Sequence, residues 1–302
     1  NRVFCFLQYS RTELLAMGER VPYLIDKKSE QSNGLKCEGT KLAGTKIVAR
    51  WKDHLIGSNH LYKITQNGFE QELHSFSCCP KMSIKGEGDN MQNSMEVLDD
   101  HVYMVSSSLE LVKISLTPPY EDRQLILGKK FEDLCLFENR IVCLTPQGEI
   151  DYADSLVKMV KLPNEDSNVL FTHVKDALDN IIVAKFNKTT NVSTLLLLNR
   201  KFSIVSEVEL QSSTSHIRTI VVSRVKRDYR IAWVLQRQTH LDVVLIARNK
   251  MVKLAQRPLL KHSMNFGIGT LAPPRPNACV VSMDDAALHI VSLRRKIKEE
   301  GK

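Results

Sequence analysis

The chain has 302 residues, of which 43% are hydrophobic and 25% charged, and its formal net charge is +8 at pH 7. This apolar content can form a sizeable core, which excludes disordered and collagen-like chains. No apolar run reaches the length of about 18 residues needed to span a membrane as a helix. The apolar stretch at residues 3–7 is too short for a signal peptide. Because the first residue is Asn rather than Met, we expect native residues to precede it.

The predicted elements are short strands that recur along the chain. In six places a polar residue is followed by an apolar strand, a turn and a second strand. These places begin at Asp53, Asp100, Asn139, Asn180, Arg230 and Asn277. Their starts lie 39 to 50 residues apart. Such a repeated hairpin is typical of a β-propeller, whose blades need about 40–50 residues for four strands. The sequence predicts an all-β fold, with a single β-propeller over residues 1–295 and a charged C-terminal tail over 296–302.

The N-terminal segment fits two structures. Residues 10–20 could form a helix with Ser10 or Thr12 as its cap and Gly18 as its end. Alternatively, residues 3–8 and 12–18 form a hairpin, which supplies a seventh repeat. Six clear hairpins and this additional one favour seven blades, with six blades as the alternative.

Further along the chain, the apolar run at residues 194–199 predicts a strand covered on both faces rather than a helix. Residues 27–45 and 79–94 are polar and contain several glycines, so we expect surface loops there. Glu138–Asn139 is a predicted turn between two strands. Paired acids at Asp99–Asp100 and Asp284–Asp285 also fall in predicted turns, where aspartate hydrogen-bonds its own backbone. Neighbouring carboxylates on a strand would point to opposite faces, which disfavours joint acid–base catalysis.

Seven cysteines show no disulfide framework, because their number is odd and their spacing irregular. Most lie in apolar strands, where a free cysteine acts as a small hydrophobic residue, and this favours a reducing, intracellular compartment. The sequons at Asn187 and Asn191 nominally indicate secretion, but such short matches are frequent by chance.

Motifs that would identify an enzyme or a metal site are missing from the sequence. It contains no phosphate-binding P-loop, no GxSxG, no HExxH and no CxxC. His54 and His60 have no further ligand type nearby, and adjacent Cys78 and Cys79 suit neither tetrahedral zinc nor an easy disulfide. We therefore predict a protein that is not an enzyme, with no cofactor, no metal and no small-molecule substrate.

Positive charge is concentrated in the C-terminal part of the chain. Residues 216–302 contain 17 Lys and Arg against 6 Asp and Glu, whereas residues 1–215 contain 25 against 28. Three groups are candidate binding residues for an anionic partner. They are Arg224, Lys226, Arg227, Tyr229 and Arg230; then Arg248, Lys250, Lys253, Arg257 and Lys261; then Arg294, Arg295, Lys296 and Lys298. If neighbouring blades carry them at the same end, they form one positive face that contacts phosphates or an acidic protein segment. The alternative is an ordinary solvated surface.

The repeat resembles the WD40-type β-propeller superfamily over about residues 1–295, in its period and its hairpin pattern. The Gly-His and Trp-Asp signatures of the family are not reproduced, since a lysine separates Trp51 from Asp53 and a valine follows Trp233. The resemblance implies a toroid whose faces bind other proteins or nucleic acid. It also implies that the first and last strands share one blade, which closes the ring.

These features predict a non-catalytic interaction scaffold, a subunit of a larger intracellular multiprotein assembly that binds partner proteins through its propeller faces and loops. The alternative is a nucleic-acid-binding subunit of a nuclear ribonucleoprotein or chromatin complex, which contacts RNA or DNA phosphates through the basic C-terminal face. A nuclear location is favoured over a cytoplasmic one. An enzyme with a site in the central channel is a third hypothesis that no residue constellation supports.

Overall fold

The structure is a computed structural model that describes fifteen stretches of the chain. They are residues 3–18, 23–29, 32–34, 47–57, 60–65, 68–76, 95–124, 128–155, 158–164, 166–210, 217–236, 240–259, 265–272, 274–283 and 288–293. These residues form 27 β-strands and include no helix, so the predicted all-β class is confirmed. It follows that no helix capable of crossing a membrane occurs in these stretches.

The strands form seven antiparallel sheets, in which strands that follow one another in the chain also lie side by side. The first sheet contains β1 (Val3–Gln8), β2 (Glu13–Gly18), β3 (Tyr23–Asp26) and β4 (Ser32–Gly34). The second contains β5 (Ile47–Trp51), β6 (His54–Gly57), β7 (His60–Thr65) and β8 (Gly68–Ser75). The third contains β9 (Met95–Leu98), β10 (His101–Val105), β11 (Leu111–Ser115) and β12 (Asp122–Gln124). The fourth contains β13 (Asp133–Phe137), β14 (Arg140–Leu144), β15 (Glu149–Tyr152) and β16 (Lys158–Lys161).

The remaining three sheets include the longest strands. The fifth sheet contains β17 (Val169–Asp176), β18 (Ile181–Asn187), β19 (Val192–Leu198) and β20 (Ile204–Leu210). The sixth contains β21 (Ile217–Lys226), β22 (Tyr229–Gln236), β23 (His240–Ala247) and β24 (Lys250–Pro258). The seventh contains three strands among the described residues, β25 (Asn265–Thr270), β26 (Ala278–Met283) and β27 (Leu288–Ser292).

Tight turns fix the pairing of the strands. Glu138 and Asn139 both have positive φ angles, 48° and 58°, as a type I′ hairpin turn requires. They join β13 to β14, where Phe137 pairs with Arg140. Asp99, with φ 54°, occupies the turn between β9 and β10. The predicted turns at Asp99–Asp100 and Glu138–Asn139 are therefore confirmed, while Asp284–Asp285 lies outside the described residues.

The structure decides between the two N-terminal alternatives in favour of the hairpin, since β1 pairs with β2 from Val3–Gly18 to Gln8–Leu14. The predicted strand at residues 194–199 is also confirmed, because β19 is buried from Ser193 to Leu198 on both faces.

The predicted loop at 27–45 requires correction. Lys27 is fully buried and β4 occupies Ser32–Gly34, since the fourth strand of this sheet begins inside the polar segment. Residues 35–46 and 79–94 lie outside the described residues.

Apolar packing lies between consecutive sheets rather than in one central core. Each of six hydrophobic clusters joins residues of two neighbouring sheets, including a cluster shared by the first and the seventh. Trp233 of β22 is fully buried against Ile268 of β25 and Val281 of β26. Its indole nitrogen donates a 2.9 Å hydrogen bond to Ser223, and the Ser223 hydroxyl lies 2.5 Å from that of Thr270. Polar and apolar contacts thus join the sixth and seventh sheets.

The first strands of the sheets lie against one another in chain order. Contacts run from β1 to β5, β9, β13, β17, β21 and β25, and β25 in turn contacts β1. The resemblance implied that the first and last strands share one blade, and the structure differs. Among the described residues β1 to β4 pair only with one another, and β25 to β27 form a separate sheet. The two sheets meet through side-chain packing and through Lys27, whose ammonium donates a 3.1 Å hydrogen bond to the carbonyl oxygen of Ala272.

We predict that Gly148→Ala lowers the free energy of unfolding by about 2–3 kcal/mol. Gly148 has φ +81°, and an added Cβ would lie 2.5 Å from the fully buried ring of Phe171 in the next sheet. Gly128→Ala is the matched control, since Gly128 has φ +73° but open space around it, and it should cost about 1 kcal/mol. Urea denaturation of both variants measures the difference. Equal losses would show that packing against Phe171 does not restrict this turn.

Candidate anion-binding surface

Two of the three predicted basic groups meet at one end of the sixth sheet. The turn at Arg227–Asp228 joins β21 to β22, and the turn at Arg248–Asn249 joins β23 to β24. In an antiparallel sheet with sequential strand order, these two turns lie at the same end. The register confirms this, because Lys226 pairs with Tyr229, Tyr229 with Ala247, and Ala247 with Lys250. The residues form a row across all four strands.

We call this surface the basic end. Its members share an outward position at the two turns, and they are Arg224, Lys226, Arg227, Tyr229, Arg248 and Lys250. The five cationic residues are exposed, and Tyr229 is half-buried. Among the described residues, no carboxylate forms an ion pair with Arg224, Arg227, Arg248 or Lys250. The basic end therefore presents concentrated positive charge to solvent.

Two cations at comparable turns of other sheets, Lys52 and Arg200, are neutralised. Lys52, between β5 and β6, lies 3.0 Å from the carboxylate of Asp100 in the third sheet. Arg200, between β19 and β20, contacts Asp179 and lies 2.9 Å from Glu138 in the fourth sheet. The basic end is distinguished from these turns by the lack of such carboxylates rather than by the presence of cations.

Arg230 was predicted to bind the partner, but the structure places it inside the protein, 7% exposed. Its Nη1 atom donates hydrogen bonds of 2.9 Å to the carbonyl oxygens of Lys226 and Tyr229. Burial, followed by the nearby charge of Arg224, lowers the pKa of its guanidinium. Arg230 satisfies backbone acceptors at the β21–β22 turn, so it positions the basic end and does not itself offer a free surface charge.

The other predicted basic residues do not join the basic end. Lys253 lies on β24, and its ammonium is 2.9 Å from the fully buried carboxylate of Asp242. Arg257 pairs with Leu241, near the opposite end of the sheet. The last five predicted residues lie outside the described residues, and they are Lys261, Arg294, Arg295, Lys296 and Lys298.

The basic end borders the turn that joins β17 to β18. The Asn180 amide donates a 2.6 Å hydrogen bond to the carbonyl oxygen of Arg248, which ties the fifth sheet to the sixth. Asp176 at the end of β17 is an exposed residue. Desolvation of its carboxyl nevertheless raises the pKa of that group to about 6. A backbone hydrogen bond from Leu178 and the positive charge of Arg230 act in the opposite direction and lower the pKa of this carboxyl.

The structure also contains a cluster of titratable side chains on the inner strands, which the sequence did not predict. The Asp133 carboxylate on β13 accepts a 2.9 Å hydrogen bond from the backbone N–H of Val174, and the Lys175 ammonium lies 3.7 Å away. Burial raises the pKa of Glu96 on β9, and the charge of Lys175 acts in the opposite direction. The charged positions are separated by up to 79 residues in the chain, so no local motif marks them. This cluster joins the third, fourth and fifth sheets.

Cysteines and histidines of the described residues provide no comparable centre. Cys135, Cys143 and Cys279 are free and buried, and burial raises the pKa of each thiol. His54 and His60 lie at the starts of β6 and β7, and in this part of the chain no group of three metal-ligating side chains comes together. The buried cysteines behave as the small hydrophobic residues expected from the sequence.

Comparison with known proteins supports the fold. No protein-family model matches the sequence, and no curated protein is similar to it in sequence. Among solved structures, the WD40 β-propeller domain of Doa1 matches with a TM-score of 0.63 and 10% identity, over 97% of this chain and 93% of that one. A chain from the mitotic checkpoint complex matches with a TM-score of 0.64 and 11% identity, over 97% and 87%. The WD40 domain of Neurospora crassa Pan2 matches with a TM-score of 0.55 and 9% identity, over 98% and 90%.

These likenesses confirm the resemblance to WD40 β-propeller domains at the level of the fold, with no particular member identified. The Trp-Asp signature is missing, but Trp51 and Trp233 are both buried between sheets. The chain therefore has a β-propeller fold similar to that of WD40 domains. At identities of 9–12%, fold is what the comparisons establish.

We predict that Asp176→Asn raises the free energy of unfolding by about 1 kcal/mol at pH 7, allowing for solvent screening, and by less at pH 4. The folded-state pKa of about 6 lies above the ordinary value of an aspartate carboxyl, so the folded protein holds this proton more tightly. The associated stability is present below about pH 4 and is lost as the pH rises through about 6. Urea denaturation at both pH values measures it.

Asp228→Asn is the control for this prediction, because it removes a negative charge from an exposed residue at the same end of the sheet. Its effect on the free energy of unfolding should be small at both pH values. An Asp176→Asn effect of equal size at pH 4 and pH 7 would contradict the raised pKa.

Proposed function

We propose that this chain is a non-catalytic interaction scaffold that binds an acidic segment of a partner protein through the basic end, as a subunit of a larger assembly. The observation that carries the proposal is the set of exposed cations at two adjacent turns of one sheet, whereas Lys52 and Arg200 at turns of other sheets are ion-paired. Carboxylates of a partner would form the ion pairs that these cations lack within the described residues. Complementary charge of this kind increases the association rate and the specificity of protein pairs.

The proposal includes a closed ring of seven blades, one for each sheet. The contacts of β1 with both β5 and β25 support closure, since they place the first and seventh sheets side by side. In such a ring the turns of successive blades lie around one face, where a peptide could contact several of them. Asn180 and Arg248 support this arrangement, because their hydrogen bond aligns the turns of the fifth and sixth sheets.

Nucleic acid is the alternative partner, and Tyr229 is the observation that favours it. Its ring is half-buried beside the exposed Lys226 and Arg227, as expected for an aromatic side chain that stacks on a base near phosphate contacts. Such binding has a steep salt dependence, with a slope of log K against log salt of about −0.7 to −0.9 per phosphate contact. A nuclear location would accompany this alternative.

The test reverses three charges, in the variant Arg224→Glu, Arg227→Glu and Arg248→Glu. We expect at least about a tenfold loss of co-purifying protein from native extract, because three attractive contacts become repulsive. Mass spectrometry of tagged wild type and variant, at low and high salt and with and without nuclease, measures the loss. The control variant is Lys63→Glu, Lys161→Glu and Lys188→Glu, which reverses three exposed charges elsewhere and should keep the partners.

The outcomes separate the two partners. Partners that survive nuclease but leave the triple variant support the acidic protein segment. Loss of the co-purifying proteins on nuclease treatment would support nucleic acid as the partner instead. A shallower dependence of log K on log salt in the triple variant would confirm that the basic end contacts phosphates. Retention of the same proteins by wild type and triple variant would overturn the basic end as the binding surface.

A further inference from the structure

The turn between β19 and β20 has a charge pattern that protein kinases select. Arg200 and Lys201 come three and two residues before Ser203, and Ile204 follows it directly. Kinases that prefer basic substrates contact cations at these two positions with acidic residues, and they contact an apolar side chain directly after the serine. Residues 200–204 therefore match the substrate pattern of such a kinase.

The side chains that such a kinase contacts are the accessible ones in this turn. The Arg200 side chain is 61% exposed, and Lys201 and Ser203 are exposed. Ile204 is 39% exposed, which few large hydrophobic residues reach among those the structure describes. Phe202 is buried, and it occupies the position where the kinase pattern sets no requirement. The buried ring thus anchors the turn and leaves the substrate pattern open to solvent.

The shape of the turn does not depend on the Ser203 hydroxyl. The backbone N–H of Ser203 donates a 3.1 Å hydrogen bond to the Asn199 side-chain oxygen, and its carbonyl oxygen accepts a 3.0 Å bond from the Asn199 backbone N–H. A phosphate on the hydroxyl oxygen, or replacement by alanine, leaves both bonds in place. Arg200 pairs with Asp179 and Glu138, but such exposed ion pairs contribute little to stability, so a kinase can compete for this arginine.

The β19–β20 turn lies at the same end of the structure as the basic end. In a sheet of sequential antiparallel strands, the β17–β18 and β19–β20 turns share one end. Asn180, in the first of these turns, donates its 2.6 Å hydrogen bond to the carbonyl oxygen of Arg248 in the basic end. The second turn of the fifth sheet therefore borders the same surface.

Contacts between the outer strands place Ser203 beside Arg248. β20 lies against β24, and the backbone N–H of Met251 donates a 3.0 Å hydrogen bond to the Ser206 hydroxyl. Ser203 comes three residues before Ser206. Arg248 comes three residues before Met251, so the two positions lie at the same height on neighbouring sheets. A phosphate on Ser203 is then within reach of the long side chains of Arg248 and Lys250.

A phosphate at this place occupies the cations that the proposed function assigns to an acidic partner. Phosphoserine carries about −1.5 to −2 charge at pH 7 and has strong acceptor oxygens. Arg248 and Lys250 are exposed, and no carboxylate of the described residues forms an ion pair with them. A phosphate that pairs with these two cations competes with the carboxylates of the partner and repels those that approach Arg224 and Arg227.

We propose that Ser203 is phosphorylated by a kinase that selects basic residues, and that the phosphate binds Arg248 and Lys250 and releases the acidic partner segment from the basic end. In the transfer, the Ser203 Oγ atom attacks the γ-phosphorus of ATP and forms an O–P bond. The bond from that phosphorus to the ADP oxygen breaks, and the hydroxyl proton passes to the base of the kinase. The release of the partner rests on the proposed function of the basic end, whereas the modification does not.

Phosphorylation of the full chain is the first measurement. The catalytic subunit of cyclic-AMP-dependent protein kinase with radiolabelled ATP should label the wild type, and mass spectrometry should locate the phosphate on Ser203. We expect Ser203→Ala to lose the label and Ser167→Ala, an exposed serine preceded by acidic residues, to keep it. Arg200→Gln should slow the labelling at least about tenfold, because it removes a cation that the kinase contacts. A wild-type chain without label at Ser203 would overturn the proposal.

Binding of a fluorescent oligo-glutamate peptide is the second measurement. Phosphorylation should weaken binding to the wild type at least about fivefold and should leave Ser203→Ala, treated with the same kinase, unchanged. Equal affinity of the phosphorylated and unmodified chains would overturn the release of the partner. If the basic-end variant Arg224→Glu, Arg227→Glu and Arg248→Glu binds the peptide as the unmodified wild type does, the proposed function of the basic end fails instead.

Phosphorus NMR of the phosphorylated chain tests the contact without a partner. Cations beside the phosphate stabilise its dianion, so its second pKa should lie below the ordinary value of about 6. Arg248→Gln with Lys250→Gln should raise this pKa toward the ordinary value. The control pair Lys161→Gln with Lys188→Gln, exposed lysines elsewhere, should not change it. A pKa that the first pair leaves unchanged would overturn the contact even if oligo-glutamate binds the basic end, so the two failures are distinguishable.

Discussion

Apolar packing between consecutive sheets is the interaction on which the rest of this structure depends. Six clusters each join two sheets, so a central strand such as β19 must be apolar on both of its faces. Close contacts such as Gly148 against Phe171 and the Trp233–Ser223–Thr270 contacts fix the spacing of the sheets. Because both faces of most sheets are buried, side chains that bind partners are confined to turns, inner strands and outer edges.

The position of the basic end follows from that confinement. The basic end lies at turns, where antiparallel pairing brings side chains that are more than 20 residues apart into one row. The inner-strand group of Glu96, Asp133 and Lys175 is different, since it lies inside the protein, where Asp133 contacts Lys175 and accepts a hydrogen bond from the backbone N–H of Val174. That group ties three sheets together.

Local patterns predicted much of the fold and part of the candidate site. The repeated hairpins, the turn at Glu138–Asn139 and the strand at residues 194–199 were all readable, because they depend on neighbours in the chain. The meeting of two basic groups followed from hairpin geometry. The burial of Arg230 and the pairing of Lys253 with Asp242 were not predictable, since a charged residue in sequence does not reveal which carbonyl or carboxylate it will reach.

The sequence by itself determined the all-β class, the hairpin period and the basic character of the C-terminal part, since periodicity and composition are properties of short stretches. Only the tertiary structure decided which cations remain unpaired, that Lys27 is buried against Ala272, and that the first and seventh sheets stay separate. The physical reason is that burial, ion pairing and sheet edges arise from contacts between residues far apart in the chain. The free energies of these interactions depend on interatomic distances of a few ångströms, and the packing of the sheets sets those distances.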